Sequence, residues 1–234
     1  MVFLRWISMS WSYDGMSIRN KRECNMDSLL LKSRLVQERE LCIAAVCDGV
    51  GGLADGAYAA SSTVKMLSNW FENLENTDGL GPRLREYIES VNFAVLTQAR
   101  ARQLQTACTL SCLLLWDGQY TVAHVGDSRI YTMEGNGLRQ LTEDHVREGR
   151  LTAAVGHREQ TDIYCAGGEY VPGQRFLLCS DGLYKRMDMD LLARSLRELH
   201  RRGLQKTLRQ LTQYVVDQGE RDNISAALLI DGER

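Results

Sequence analysis

Residues 109–132 read TLSCLLLWDGQYTVAHVGDSRIYT, and this stretch decides the fold. Residues 109–116 and 120–125 are apolar or β-branched runs of strand length. Between them Asp117-Gly118 supplies two residue types that accept the positive φ angles of a tight two-residue turn. The two runs are therefore expected to pair as an antiparallel hairpin. A third run, 129–132, follows Gly126-Asp127-Ser128, and Asn136-Gly137 just beyond it is a second hairpin signal.

Working outward, further strand-like runs lie at 28–32, 41–47, 175–180 and 224–230. Helical patterning separates them. From Asp55 to about Leu74, Ala59, Val64, Leu67 and Phe71 recur near helical spacing, and Pro82 stands in the first turn of a second helix ending near Arg100. Asp188 and Asp190 open a third helix and His200, Arg201 and Arg202 close it before Gly203, each charge matching the helix dipole. Residues 203–219 give a fourth. Two helices in the middle, two near the end and antiparallel strands elsewhere predict an α+β sandwich with helices on the outer faces of packed sheets. A doubly wound parallel sheet fits less well.

Composition sets the class. The chain has 234 residues, 44% hydrophobic and 25% charged, with 2 Pro and 20 Gly, as in an ordinary globular protein. No repeat or linker divides it, so residues 1–234 are read as a single domain. A formal charge of -2 offers no global field for nucleic acid or an anionic membrane, and neither is expected as a partner. The opening MVFLRWISMSWSYDG is too interrupted for a signal peptide and no later run approaches a membrane span, so a cytoplasmic location is expected. Cys24, Cys42, Cys47, Cys108, Cys112, Cys165 and Cys179 form no Cys-x-x-Cys pair and mostly sit in apolar runs, and they read as reduced structural thiols.

Chemistry is suggested by aspartates where apolar runs stop: AAVCDGVGG at Asp48, VAHVGDSRI at Asp127, FLLCSDGLY at Asp181 and RDNISAALLI at Asp222. A carboxylate at a strand end is held by rigid sheet yet opens onto a loop, the placement that gathers charged oxygens around a hard cation such as Mg²⁺ or Mn²⁺. Any single Asp-Gly is primarily turn chemistry, and Asp117 is read so. The other four gain weight as an ordered set. In Asp48-Gly49-Val50-Gly51-Gly52 the missing side chains let backbone approach an ion or phosphate closely. The P-loop pattern and Gly-x-Gly-x-x-Gly are both absent, which weakens nucleotide-binding readings.

With these residues in view, the chain resembles the PPM-type (type 2C) metal-dependent serine/threonine protein phosphatases, especially compact bacterial catalytic domains. Arg22-Glu23-Cys24-Asn25-Met26-Asp27 is similar to the family's opening Arg-x-x-Asn-Glu/Gln-Asp, Asp48 to Gly52 to Asp-Gly-x-Gly-Gly, and Ala107 to Leu110 to Gly-Thr-Thr-Leu. Gly126-Asp127-Ser128-Arg129, Ser180-Asp181-Gly182 and Asp222-Asn223 match three later motifs in order. The resemblance implies a four-layer α/β/β/α sandwich whose two antiparallel sheets hold two Mn²⁺ or Mg²⁺ ions, with a weaker third. It implies that Asp48 bridges the ions, that Gly49 offers its carbonyl, that Asp181 and Asp222 bind one ion and that Asp27 holds metal-bound waters. Asp127 with Asp181 would mark the third site, and Arg22 would grip the substrate phosphate. Catalysis would then rest on Arg22, Asp27 and Asp48, with a metal-bridging hydroxide attacking phosphorus in line. The substrate implied is a phosphoserine or phosphothreonine protein, the target of a serine/threonine kinase or such a kinase itself.

Four departures stand out. Met26 replaces a common Glu or Gln, Val50 replaces the histidine of many eukaryotic members and leaves leaving-group protonation to water, Cys108 stands where Thr is frequent, and only residues 146–150 link His145 to Leu151 where a longer flap is usual. Met26 and the short flap motivate the alternative of a non-catalytic phosphoprotein-binding or regulatory module. His124 reads as a packed strand residue and His200 as a helix-end charge.

Overall fold

The computed structural model describes residues 11–51 and 55–232. Gly52 and the opening segment 1–10 lie outside the described residues. The chain begins with β1 (Trp11–Ile18), β2 (Ser28–Val36) and β3 (Arg39–Cys47), then α1 (Gly56–Glu72) and α2 (Leu80–Ala101). β4 (Leu110–Trp116), β5 (Gln119–Val125), β6 (Arg129–Glu134) and β7 (Gly137–Gln140) follow, with a small hairpin of β8 (Val146–Arg147) and β9 (Arg150–Leu151). β10 (Tyr164–Glu169) and β11 (Arg175–Cys179) lead to α3 (Asp181–Tyr184), α4 (Met189–Arg197), α5 (Leu199–Arg202), α6 (Leu204–Asp217) and β12 (Ile224–Asp231).

Two five-stranded sheets result, ordered β1-β12-β11-β6-β7 and β10-β5-β4-β3-β2, with all neighbours antiparallel. The near-continuous apolar run of β3 is explained by burial on both faces. Leu41, Ile43, Ala45 and Cys47 pack outward against Leu67 and Phe71 of α1 and Leu84 and Ile88 of α2. Cys42, Ala44 and Val46, on the alternate positions, pack against Phe176, Leu178, Ala227 and Leu229 of the other sheet. Outside that second sheet, Leu177, Ala226 and Leu228 meet Leu192 and Leu196 of α4 and Leu208, Leu211 and Val215 of α6. These are the four layers of an α/β/β/α sandwich, each buried Leu or Phe contributing about 1.5–3 kcal/mol by leaving water.

The expected strands and four main helices are present, with differences that have physical reasons. β1 and β10 escape a pattern reading because each is a sheet edge with one neighbour and a mixed, glycine-containing sequence. β2 continues to Val36, where Gln37 (φ 49°) and Glu38 (φ 64°) make a two-residue turn with neither Gly nor Asn. Asp117 and Gly118 take φ of 44° and 74° as expected, and Arg39 pairs with Asp117 (3.2 Å), in keeping with its turn role. The second hairpin turns one residue earlier than predicted: Gly137 already pairs with Glu134, and Gly135 (φ 57°) with Asn136 forms the loop. The third expected helix is broken at Glu198 into α4 and α5. Five cysteines are buried, Cys24 and Cys165 are exposed, and all seven are free, with burial pushing the Cys112 thiol up to about 12.

Candidate active site

The strand register brings the predicted aspartates to one end of the sandwich. Ser28 pairs with Cys47, so Asp27 and Asp48 stand at the same end of neighbouring strands. Cys179 pairs with Ala226 in the other sheet, so Asp181 and Asp222 leave it at the matching end. Asp127 lies where the chain crosses from β5 in one sheet to β6 in the other. Arg22, Asp48, Gly49, Asp127, Asp181 and Asp222 line one cleft of about 730 Å³, while Asp27 is buried, 8% exposed.

Local hydrogen bonds hold this arrangement. Asn223 is its hub: its Nδ2 donates to the carbonyls of Arg19 and Cys24 (2.9 Å each), and its Oδ1 accepts from the Met26 amide (2.9 Å). The loop carrying Arg22 and Asp27 is thereby tied to the start of β12. Ser180 Oγ donates to Asp27 Oδ2 (3.0 Å) and accepts from the Ser225 amide (3.0 Å). Asp48 accepts at its carbonyl from the Thr109 amide (2.8 Å), and its own amide donates to Thr109 Oγ1 (3.0 Å). Glycine is required beside two aspartates by close approach: a Cβ on Gly49 would lie 2.6 Å from the Gly56 carbonyl carbon, and one on Gly182 would lie 2.0 Å from the Asn223 carbonyl oxygen.

Electrostatics make the cluster costly on its own. Burial, then the charges of Asp27, Asp181, Asp127 and Asp222, push the Asp48 carboxyl well above its ordinary range. Burial pushes Asp27 up to about 6, against hydrogen bonds from Ser225 and Ser180 that favour its charged form. Asp127 is likewise pushed up to about 6 by burial and by Asp181. Among the described residues Arg22 and Lys185 offset part of this negative charge. Arg22 donates to both carboxylate oxygens of Asp222 (2.8 and 2.6 Å), and Lys185 Nζ donates to Asp181 Oδ2 (2.5 Å).

The residues fit a hard divalent cation. Their donors are carboxylate oxygens without Cys or His, and buried Asp27 Oδ1 finds no hydrogen-bond partner of good geometry among the described residues. Among the described residues no three of these side chains close around a single point. Arg22 and Lys185 hold Asp222 and Asp181 respectively.

Lys185 and Tyr184 of the cleft were not singled out by the sequence, and Arg129 was read only as the end of the Gly126-Asp127-Ser128-Arg129 motif. Lys185 and Tyr184 line the cleft from the end of α3, and Arg129 forks onto Asp144 (2.7–3.1 Å) while its guanidinium lies 3.8 Å over the Tyr184 ring. Lys185, four residues after Asp181, carried one readable signal, the helical i,i+4 spacing. His124 is packed, as expected: it is buried, Nε2–H donates to the Gly126 carbonyl (2.9 Å), and burial lowers its pKa to about 4. His145 stacks on it (ring centroids 5.2 Å apart) and accepts at Nδ1 from the Gly126 amide (3.0 Å), bracing the residue before Asp127. The short link after His145 is the β8–β9 hairpin, which places Val146, Arg150 and Leu151 on the cleft wall.

The chain is similar to known proteins in sequence and in fold. Residues 14–221 match the family described as protein phosphatase 2C. Over 166 residues the chain is 33% identical to the serine/threonine phosphatase stp of Listeria welshimeri, covering 60% of this chain and 66% of that protein. Over 183 residues it is 31% identical to the serine/threonine protein phosphatase PstP of Mycobacterium tuberculosis, covering 69% of this chain and 34% of that protein. The match thus spans just under two thirds of the first relative and about a third of the second. Among solved structures, PppA, described as a key regulatory component of T6SS in Pseudomonas aeruginosa, superposes with a TM-score of 0.77 at 27% identity, covering 94% of this chain and 96% of that one. The catalytic domain of PstP, solved with two manganese ions, shares the fold with a TM-score of 0.79 at 24% identity over 95% of this chain and 99% of that one. Among the described residues no helix is long and apolar enough to cross a membrane.

Proposed function

The chain belongs to the protein phosphatase 2C family, and from that premise we propose that it is a divalent-cation-dependent phosphatase removing phosphate from serine and threonine side chains of a protein substrate. The observation that carries this reading is the convergence of Asp48, Asp127, Asp181 and Asp222 on one cleft with Asp27 beneath it. The named relatives, serine/threonine phosphatases themselves, support the substrate class.

Asp48, with the Gly49 carbonyl, and Asp181 and Asp222 would hold two Mn²⁺ or Mg²⁺ ions. Such ions, when bound, neutralise the phosphate dianion and bring the pKa of water toward neutrality. The protein's own part is positional. Asp27, anchored by Ser180, offers a fixed acceptor that orients water at the floor of the cleft. Arg22, released from Asp222, presents a planar two-donor fork to the phosphate oxygens and stabilises charge on them as the ester bond breaks. With Val50 where many members carry a histidine, the leaving alkoxide would take its proton from water. The kinase that phosphorylates the substrate, or is itself the substrate, follows from the same reading.

The engagement of Asp222 by Arg22 and of Asp181 by Lys185 favours one alternative, a phosphoprotein-binding module that keeps the fold without turnover. Hydrolysis of p-nitrophenyl phosphate and a phosphothreonine peptide, with and without Mn²⁺ and beside Asp48→Ala, separates the two. Mn²⁺-dependent release of phosphate, lost in the variant, is expected. A folded protein that binds Mn²⁺ and releases none would establish the binding module instead.

A further inference from the structure

Lys185 ends the single turn of α3 that Asp181 begins. The turn is seated firmly, because Gly182 lies against the Asn223 carbonyl with no room for a side chain. From this base the Lys185 stem runs along the cleft wall, and Nζ reaches Asp181 Oδ2 at 2.5 Å. An ordinary surface i,i+4 pair joins two exposed groups. Here the carboxylate is only 16% exposed and the ammonium's field also reaches Asp127 and Asp48. Among the described residues Lys185 thus places positive charge on Asp181, and its field extends to Asp127.

We infer that Lys185 is a built-in cation of the centre, occupying with its ammonium the ground between Asp181 and Asp127 that a third divalent ion would need, so that the chain binds two ions. The inference rests on the metal-dependent reading above. Its reason is Coulombic: a third divalent ion on the Asp127 side of Asp181 would have to share Oδ2 with the ammonium already bound there and would be repelled by it, whereas the ion assigned to Asp181 above needs only the other carboxylate oxygen. Asp127 then acts as a counter-charge to Lys185 in place of a metal ligand.

The test is Mn²⁺ stoichiometry, read by isothermal titration calorimetry and by metal analysis after gel filtration, in the wild type, Lys185→Met, Lys185→Arg and the double variant Lys185→Met with Asp127→Asn. Lys185 is half-exposed, and thermal melts with Lys185→Gln as a second uncharged variant verify folding. Two equivalents are expected in the wild type and in Lys185→Arg, three in Lys185→Met and Lys185→Gln, and two again in the double variant. Three equivalents in the wild type, or two in both uncharged variants, would overturn the role of Lys185. No Mn²⁺ bound by the wild type would instead overturn the metal-dependent reading itself.

Discussion

Arg22 and Asp222, 200 residues apart in the chain, meet in two parallel hydrogen bonds of 2.8 and 2.6 Å at the cleft. The pair joins the loop after β1 to the residue before Asn223, so the group proposed to bind phosphate and a carboxylate proposed to bind metal are held together. Its members are 51% and 34% exposed at the side chain, which limits its worth to stability to about 1 kcal/mol.

Arg22→Ala should therefore leave the melting temperature nearly unchanged. Activity should respond strongly, because hydrogen bonds to a charged group are worth roughly 1.5–3 kcal/mol, or roughly 10- to 100-fold in kcat/KM. Steady-state kinetics on a phosphothreonine peptide measure this, and an unaltered kcat/KM would remove Arg22 from the phosphate site.

Asp48 lies at the centre of the carboxylate repulsion. Asp48→Asn should raise the melting temperature in chelator by removing that charge, while lowering phosphatase activity by at least about 100-fold. Calorimetric melts and phosphate release read the two effects separately; a variant both less stable in chelator and fully active would contradict the assignment.

The raised carboxyls also set a pH dependence. Asp27 and Asp127 titrate in the folded chain at about 6, above the ordinary carboxylate value. Between the two values the folded state keeps protons that the unfolded chain has lost, so their contribution to stability falls as pH rises and is fully unfavourable above about 6. In chelator, melting temperature should drop from pH 5 to pH 7.5, less steeply in Asp127→Asn, and Mn²⁺ should weaken the trend. An equal slope in Asp127→Asn would exclude that residue as a source.

Gly182→Ala would set a Cβ 2.0 Å from the Asn223 carbonyl oxygen, and backbone must move to admit it. The expected cost is about 3 kcal/mol by urea unfolding. Gly81→Ala, whose Cβ would meet only Thr121 Oγ1 at 3.4 Å in the first turn of α2, is the control and should lie within about 0.5 kcal/mol of wild type.

Asn223→Ala strips three hydrogen bonds from the loop of residues 19–26. Unfolding should be easier by roughly 1–3 kcal/mol, and KM for a phosphopeptide should rise as Arg22 loses its support. A stability loss without any change in KM would confine Asn223 to the fold.

How far a feature could be read beforehand followed the range of the interactions behind it. Strands β3, β4, β5, β11 and β12 were legible because burial on both faces leaves long apolar runs, whereas β1 and β10, with one neighbour each, carry no such mark. Asp48, Asp127, Asp181 and Asp222 were legible as residues that end such runs. Asn223 was visible only as the neighbour of Asp222, since its three partners lie about 200 residues away.

By itself, then, the order of residues determined the α+β class, the hairpin at Asp117-Gly118 and the identity of the cleft aspartates, all of which depend on side-chain period, turn chemistry and residue type within a few positions. The tertiary structure decided which groups answer that negative charge: Arg22 on Asp222, Lys185 on Asp181, and Asp27 buried beneath them with one oxygen unpartnered among the described residues. Those pairings depend on how two separately formed sheets bring their strand ends together, and a carboxylate's charge state and partner are set by burial and distance in that assembly.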